Sequence, residues 1–154
     1  MYKPDHFLPH ELVDQQTYAL FEGQPDTIYR LFPEGLLRAA DDLRELFGSI
    51  TINNWFYGCE RQWSGFRHER SRYYSRNSQH SSCNALDMVF SHAEVPAVHA
   101  YIMANEAKFY ALGIRRLESL EATAKHDGIS AGNWCRMDTK ECGKPEGKIH
   151  VFRP

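Results

Sequence analysis

Between Pro33 and Phe47 the apolar residues Leu36, Leu37, Ala40, Leu43, Leu46 and Phe47 recur at the spacing of one helix face, while Asp41, Asp42, Arg44 and Glu45 fall on the other. This pattern predicts an amphipathic helix with a solvated charged side, stopped at Gly48, where a left-handed cap is wanted. The period then drops to two. Ile50 and Ile52 alternate with polar residues between Ser49 and Trp55, which predicts a strand, and the change of period in adjacent segments is that of a helix packed on a sheet. A second alternation runs from Ala85 to Phe90, with Leu86, Met88 and Phe90 on one face and Ala85, Asp87 and Val89 on the other. Further helices are expected from Pro9 to about Phe21, closed by Gly23-Gln24-Pro25, and from Glu94 to about Ala107, where Pro96 is tolerated in the first turn. Strands are expected over Ile114 to Leu120, Trp134 to Asp138 and Lys148 to Phe152. Phe56 to Gln79 and Ala122 to Asn133 hold no sustained period and read as loops. The class is α+β: one domain over residues 1–154, a small, mostly antiparallel sheet with helices packed on it.

Composition narrows the function classes. A chain of 154 residues with 42% hydrophobic content can bury one core. Its net charge of −2 and pI near 6.4 give no general attraction to nucleic acid or to an anionic membrane. Arg61, Arg67, Arg70, Arg72 and Arg76, interleaved with Trp63, Phe66, Tyr73 and Tyr74, could line a groove for single-stranded nucleic acid. With that overall charge, a cationic wall facing a small anionic substrate fits better. Asp5, His6, His10, Glu11 and Asp14 interrupt any leader-like apolar run, and no stretch approaches a membrane span, so a cytoplasmic protein is expected. Cys59, Cys83, Cys135 and Cys142 form no Cys-x-x-Cys pair and are expected as free thiols, with a bridge between Cys135 and Cys142 left open.

Asp87 is the residue whose chemistry stands out. It projects among small apolar neighbours, where an ionised carboxylate is costly without a compensating positive charge. His80 lies seven residues earlier. Imidazole nitrogen and carboxylate oxygen together suit Zn²⁺, and a catalytic zinc site needs three protein ligands with a fourth position open. The alternative is structural, with His80 capping a loop and Asp87 paired to an arginine.

The order Ser78-x-His80-x-x-Cys83-x-Ala85-x-Asp87 resembles the Ser-x-His-x-x-Gly-x-Ala-x-Asp motif of the zinc D-alanyl-D-alanine carboxypeptidases and related phage endolysin peptidases. Ser64-Gly65-Phe66-Arg67 matches that family's Ser-Gly-x-Arg element, and Trp134-Cys135-Arg136-Met137-Asp138 matches its Trp-x-His-x-Asp element except at the centre. The resemblance implies a hedgehog/DD-peptidase fold and zinc-dependent cleavage of peptidoglycan stem peptides. It implies His80 and Asp87 as zinc ligands, Arg67 as the binder of substrate and oxyanion, and Glu118 as general base. Glu121 competes with Glu118 for that role, and either could instead be a solvent-facing carboxylate at a strand end. His126 reads as a surface histidine of a loop, and no separate wall-binding module is seen.

Two positions depart from the family. Arg136 stands where the third zinc ligand belongs, and a guanidinium offers a metal no lone pair. Cys83 replaces a glycine, which puts the local turn in question. Either His150 substitutes as ligand, or Arg136 pairs with Asp87 and replaces the ion's charge, or the chain is an inactivated variant. The expected function is a zinc peptidase of the endolysin kind; the alternative is a catalytically silent binding or structural protein with that fold.

Overall fold

The computed structural model describes residues 2–125 and 134–154. Its centre is a five-stranded sheet built from β1 (Ile50–Thr51), β2 (Ala85–Phe90), β3 (Arg116–Glu118), β4 (Cys135–Asp138) and β5 (His150–Phe152), in the order β1-β2-β4-β3-β5. All the pairings are antiparallel except β3 with β5, so the sheet is mixed, and the α+β class expected from the periodicity holds.

β2 occupies the bounds its alternation predicted. Leu86, Met88 and Phe90 enter the core, where they meet α2 (Glu34–Phe47), and Leu36, Leu37, Ala39, Ala40 and Leu43 supply the buried helix face. Gly48 ends α2 with φ +82°. α3 (Val95–Ala104) buries Val95, Val98 and Ile102; Asn105 interrupts the chain before α4 (Glu106–Ala111), so the helix expected to about Ala107 is two helices. No helix among the described residues is long and apolar enough to cross a membrane.

Several boundaries differ from expectation for local reasons. The helix expected over Pro9 to Phe21 is a 3-10 turn, Pro9–Glu11, followed by α1 (Gln15–Leu20). Asp14 divides them, because its carboxylate accepts the Gln16 and Thr17 backbone N–H groups and the Thr17 hydroxyl and so starts a new helix. The strand expected to Trp55 stops at Thr51: Asn53 Nδ2 and Trp55 Nε1 both donate to the Val13 carbonyl, which turns the chain into a 3-10 segment, Trp55–Tyr57. The strand expected over Ile114 to Leu120 shortens to β3, and Leu120, its expected last residue, instead opens α5 (Leu120–Lys125), which runs into what read as loop.

Asp41 is a further correction. It was expected on the solvated side of α2 but is buried, and it accepts from Tyr2 Oη (2.6 Å), Asp5 N (2.7 Å) and His6 N (3.1 Å), which pins the N-terminal segment to the helix. The four cysteines are free thiols, as expected. Burial pushes the Cys83 and Cys135 thiols up to about 12, so neither forms a reactive thiolate at neutral pH.

Candidate functional site

The sheet's alternation sorts its charges. In the β2–β4 register Leu86 faces Met137 and Asp87 faces Arg136; in β3–β4 Leu117 faces Met137 and Arg116 faces Asp138. Leu86, Met137 and Leu117 therefore enter the core, and residues of opposite parity share the other face. One row of that face runs Asp87, Arg136, Glu118 and Phe152, and the next runs Ala85, Asp138, Arg116 and His150. Asp87 and Glu118 thus flank Arg136 from adjacent strands.

The long segment between β1 and β2 builds the wall above this row. Ser64 accepts the Asp87 N–H through its carbonyl at 2.8 Å, and its own N–H donates to Asn53 Oδ1 at 3.0 Å. Gly65 is required next, because a Cβ there would stand 2.0 Å from the Leu12 carbonyl oxygen. The Gly65 carbonyl receives His80 Nδ1 at 2.8 Å, and the Arg67 N–H donates to the His80 carbonyl at 3.0 Å. Two stretches fifteen residues apart are thereby bolted together, with His80 wholly buried. The turn that carries His80 closes at Cys83, with φ 58° and ψ 21°, the single non-glycine residue of positive φ among the described residues. A glycine, as in the motif that this stretch resembles, would suit that conformation, and a side chain there costs roughly 1 kcal/mol.

Nδ1 of His80 carries a proton, since a carbonyl can only accept. Nε2 then faces Asp87 Oδ1 at 3.1 Å, held there either by a second proton or by a cation shared with the carboxylate. Arg67 NH2 lies 3.5 Å from Asp87 Oδ2, so His80, Asp87 and Arg67 meet in one place. Burial alone would raise the Asp87 carboxyl, but His80, Arg136 and Arg67 outweigh it and bring it down to about 2. For Arg67, burial and the nearby Arg136 hold the guanidinium below its ordinary value, against the opposing pull of Asp87.

Arg136 lies in the middle of the carboxylates without a close fit to any. Its Nε is 4.0 Å from Asp87 Oδ1, NH1 is 3.7 Å from Glu118 Oε2, and NH2 is 3.9 Å from Asp138 Oδ2. The buried Nε donates no hydrogen bond. Glu118 is only 3% exposed, so it is not the solvent-facing carboxylate that the sequence left open.

These groups floor an open cleft of about 1010 Å³, walled by Trp63, Arg67, Arg72, Tyr73 and Trp134. Arg67, Asp87, Glu118 and Arg136 all line it, and His80 supports it from behind. Glu121 does not: it is exposed and paired with Arg153. His150 shares the sheet face with Asp87 but lies on β5, three strand spacings or roughly 14 Å away, so it cannot ligate with His80 and Asp87. His126 lies outside the described residues. Sequence reasoning missed Arg116, whose bidentate pair with Asp138 (2.8 and 2.6 Å) anchors the neighbouring row.

The donor set fits a catalytic zinc ion only in part. His80 Nε2 and Asp87 Oδ1 are separated much as two donors of one tetrahedral shell would be, roughly 3.3 Å for zinc–donor distances near 2.0 Å. The Arg136 guanidinium stands beside them, Nε 4.0 Å from Asp87 Oδ1, and it has no lone pair and repels a cation. Among the described residues no group of three His, Cys, Asp or Glu side chains is arranged to hold a metal. Comparisons with protein-family models, with curated proteins and with solved structures give no match.

Proposed function

We propose that this chain is a peptide-binding protein of the D-alanyl-D-alanine peptidase kind, with the hedgehog/DD-peptidase fold and a cleft that takes peptidoglycan stem peptides without hydrolysing them by zinc chemistry. One observation carries this reading: the guanidinium of Arg136, in the motif position that the resemblance gives to the third ligand, lies among Asp87, Glu118 and Asp138. Its positive charge replaces that of an ion, so the buried carboxylates stay compensated with no metal. The cleft remains open, and its cationic and aromatic wall suits a peptide that bears carboxylates.

Calorimetric titration with a stem pentapeptide, beside metal analysis and a wall-digestion assay on the same preparation, tests the reading. Binding without stoichiometric zinc and without digestion is expected; digestion that a chelator stops would overturn it. The competing reading, a zinc peptidase, is favoured by the convergence of His80 Nε2 and Asp87 Oδ1 beside a buried Glu118, but it needs a third ligand that the described residues do not supply. Under that reading Glu118→Gln would abolish digestion and leave metal content unchanged.

A further inference from the structure

The motif resemblance gives the task of holding a substrate carboxylate to Arg67, yet that guanidinium is already engaged. Its Nε and NH2 donate to the Trp63 carbonyl at 3.2 and 3.1 Å, its NH1 reaches the Tyr73 carbonyl at 3.5 Å, and NH2 also faces Asp87. Each of its three nitrogens therefore has a protein acceptor. A ligand carboxylate approaching it would also meet Asp87, a like charge held ionised.

The other cations of the cleft are engaged too, with one exception. Arg136 lies among three carboxylates, and Arg61 Nε donates to the Ile52 carbonyl at 2.9 Å. Arg72 is exposed, lines the same cleft and has no ion-pair partner among the described residues. Its guanidinium carbon lies 4.7 Å from the Tyr73 ring centroid, and NH2 donates to the Tyr73 hydroxyl. The hydrogen bond and the ring contact tether one end of the guanidinium and leave its other N–H groups open for a two-pronged bond to a carboxylate. Tyr73 joins the two arginines, holding Arg72 through its ring and hydroxyl and Arg67 through its carbonyl.

We infer that Arg72, oriented by Tyr73, recognises the free carboxylate of a peptide bound in this cleft, while Arg67 is a positioning residue that fixes Asp87 and the segment from Trp63 to Tyr73. This inference rests on the peptide-binding reading above and assigns its charge recognition. Glu60, another charged side chain in the lining, has the wrong sign for the task.

The test compares one labelled stem pentapeptide as its free acid and as its C-terminal amide, titrated against the full chain and its variants by fluorescence anisotropy. The unmodified protein is expected to favour the acid by about tenfold, as one charge-assisted pair supports. Arg72→Gln should reduce the acid's affinity to that of the amide, Arg72→Lys should restore part of the preference, and Tyr73→Leu should weaken it. Arg67→Lys should weaken acid and amide alike, with circular dichroism reporting whether the fold survives. A preference that persists in Arg72→Gln, or one lost in a folded Arg67→Lys alone, overturns the assignment. Equal binding of acid and amide by the unmodified protein overturns it too, while leaving the peptide-binding reading in place. Failure of both peptides to bind the unmodified protein brings down that reading and this inference together.

Discussion

Two arginines on one face of the sheet, Arg116 on β3 and Arg136 on β4, both reach toward Asp138, and they do so in opposite ways. Arg116 meets it as a fork, with Nε and NH2 at 2.8 and 2.6 Å from the two carboxylate oxygens, over the Phe152 ring at 4.2 Å. Arg136 comes no closer than 3.7 Å to any of its three carboxylates and leaves its buried Nε without an acceptor. The first is a pocket shaped for a guanidinium. The second is a looser setting, in which a guanidinium supplies charge without close bonds. An unsatisfied buried donor costs roughly 1–3 kcal/mol, so the value of Arg136 lies in neutralising Asp87 and Glu118, not in the contacts it makes.

The comparison predicts a ranking of effects. Arg116→Ala should be the most damaging, costing about 3–5 kcal/mol in urea unfolding, because it strands the fully buried Asp138. A cost below about 1 kcal/mol would show that Arg136 can take over the pairing and that the two sites are not distinct.

Next comes acid sensitivity from Asp87. Its folded-state carboxyl lies at about 2, lowered by His80, Arg136 and Arg67 against the effect of burial, whereas the unfolded chain returns to about 3.9. As pH falls, the unfolded chain takes up that proton first. The contribution is complete above about pH 5, shrinks from there and is gone near pH 1, with roughly 2–3 kcal/mol at stake. The unmodified protein should lose about that much more stability on acidification than Asp87→Asn, measured from unfolding midpoints across that range; parallel curves would mean that Asp87 is not compensated as described.

Smaller again is Arg136→Met, expected to cost about 1–2 kcal/mol. The loss of charge beside Glu118 is partly offset by removing the unsatisfied Nε, and Asp87 keeps His80 and Arg67. A loss equal to that of Arg116→Ala would make Arg136 an ordinary structural ion pair.

What the sequence made legible follows the range of the interactions. β2 and α2 were readable because alternation and helical spacing are local, and the placement of Asp87 on the face opposite Leu86, Met88 and Phe90 follows from the same alternation. At Cys83 the sequence put the local turn in question only through the glycine of the motif it resembles; the positive φ is the structure's addition. Asp41 was misplaced because what buries it, the segment carrying Tyr2, Asp5 and His6, returns from more than thirty residues away with no local signal. The Arg116–Asp138 fork depends on β3 and β4 being neighbours in a strand order that crosses over, and the hold of the Gly65 carbonyl on His80 joins two loops. His150 looked available as a ligand until the strand order put it three strands from Asp87.

Arg136 is proposed to take the place of both a ligand and an ion. Zinc titration of the unmodified protein and of Arg136→His at one pH, read by calorimetry and checked by metal analysis after dialysis, tests it most directly. No stoichiometric zinc is expected on the unmodified protein, and at least tenfold tighter binding, about 1.4 kcal/mol, is expected in Arg136→His, where His80, Asp87 and the new imidazole complete three ligands. One equivalent of zinc held tightly by the unmodified protein, with no gain in Arg136→His, would contradict it.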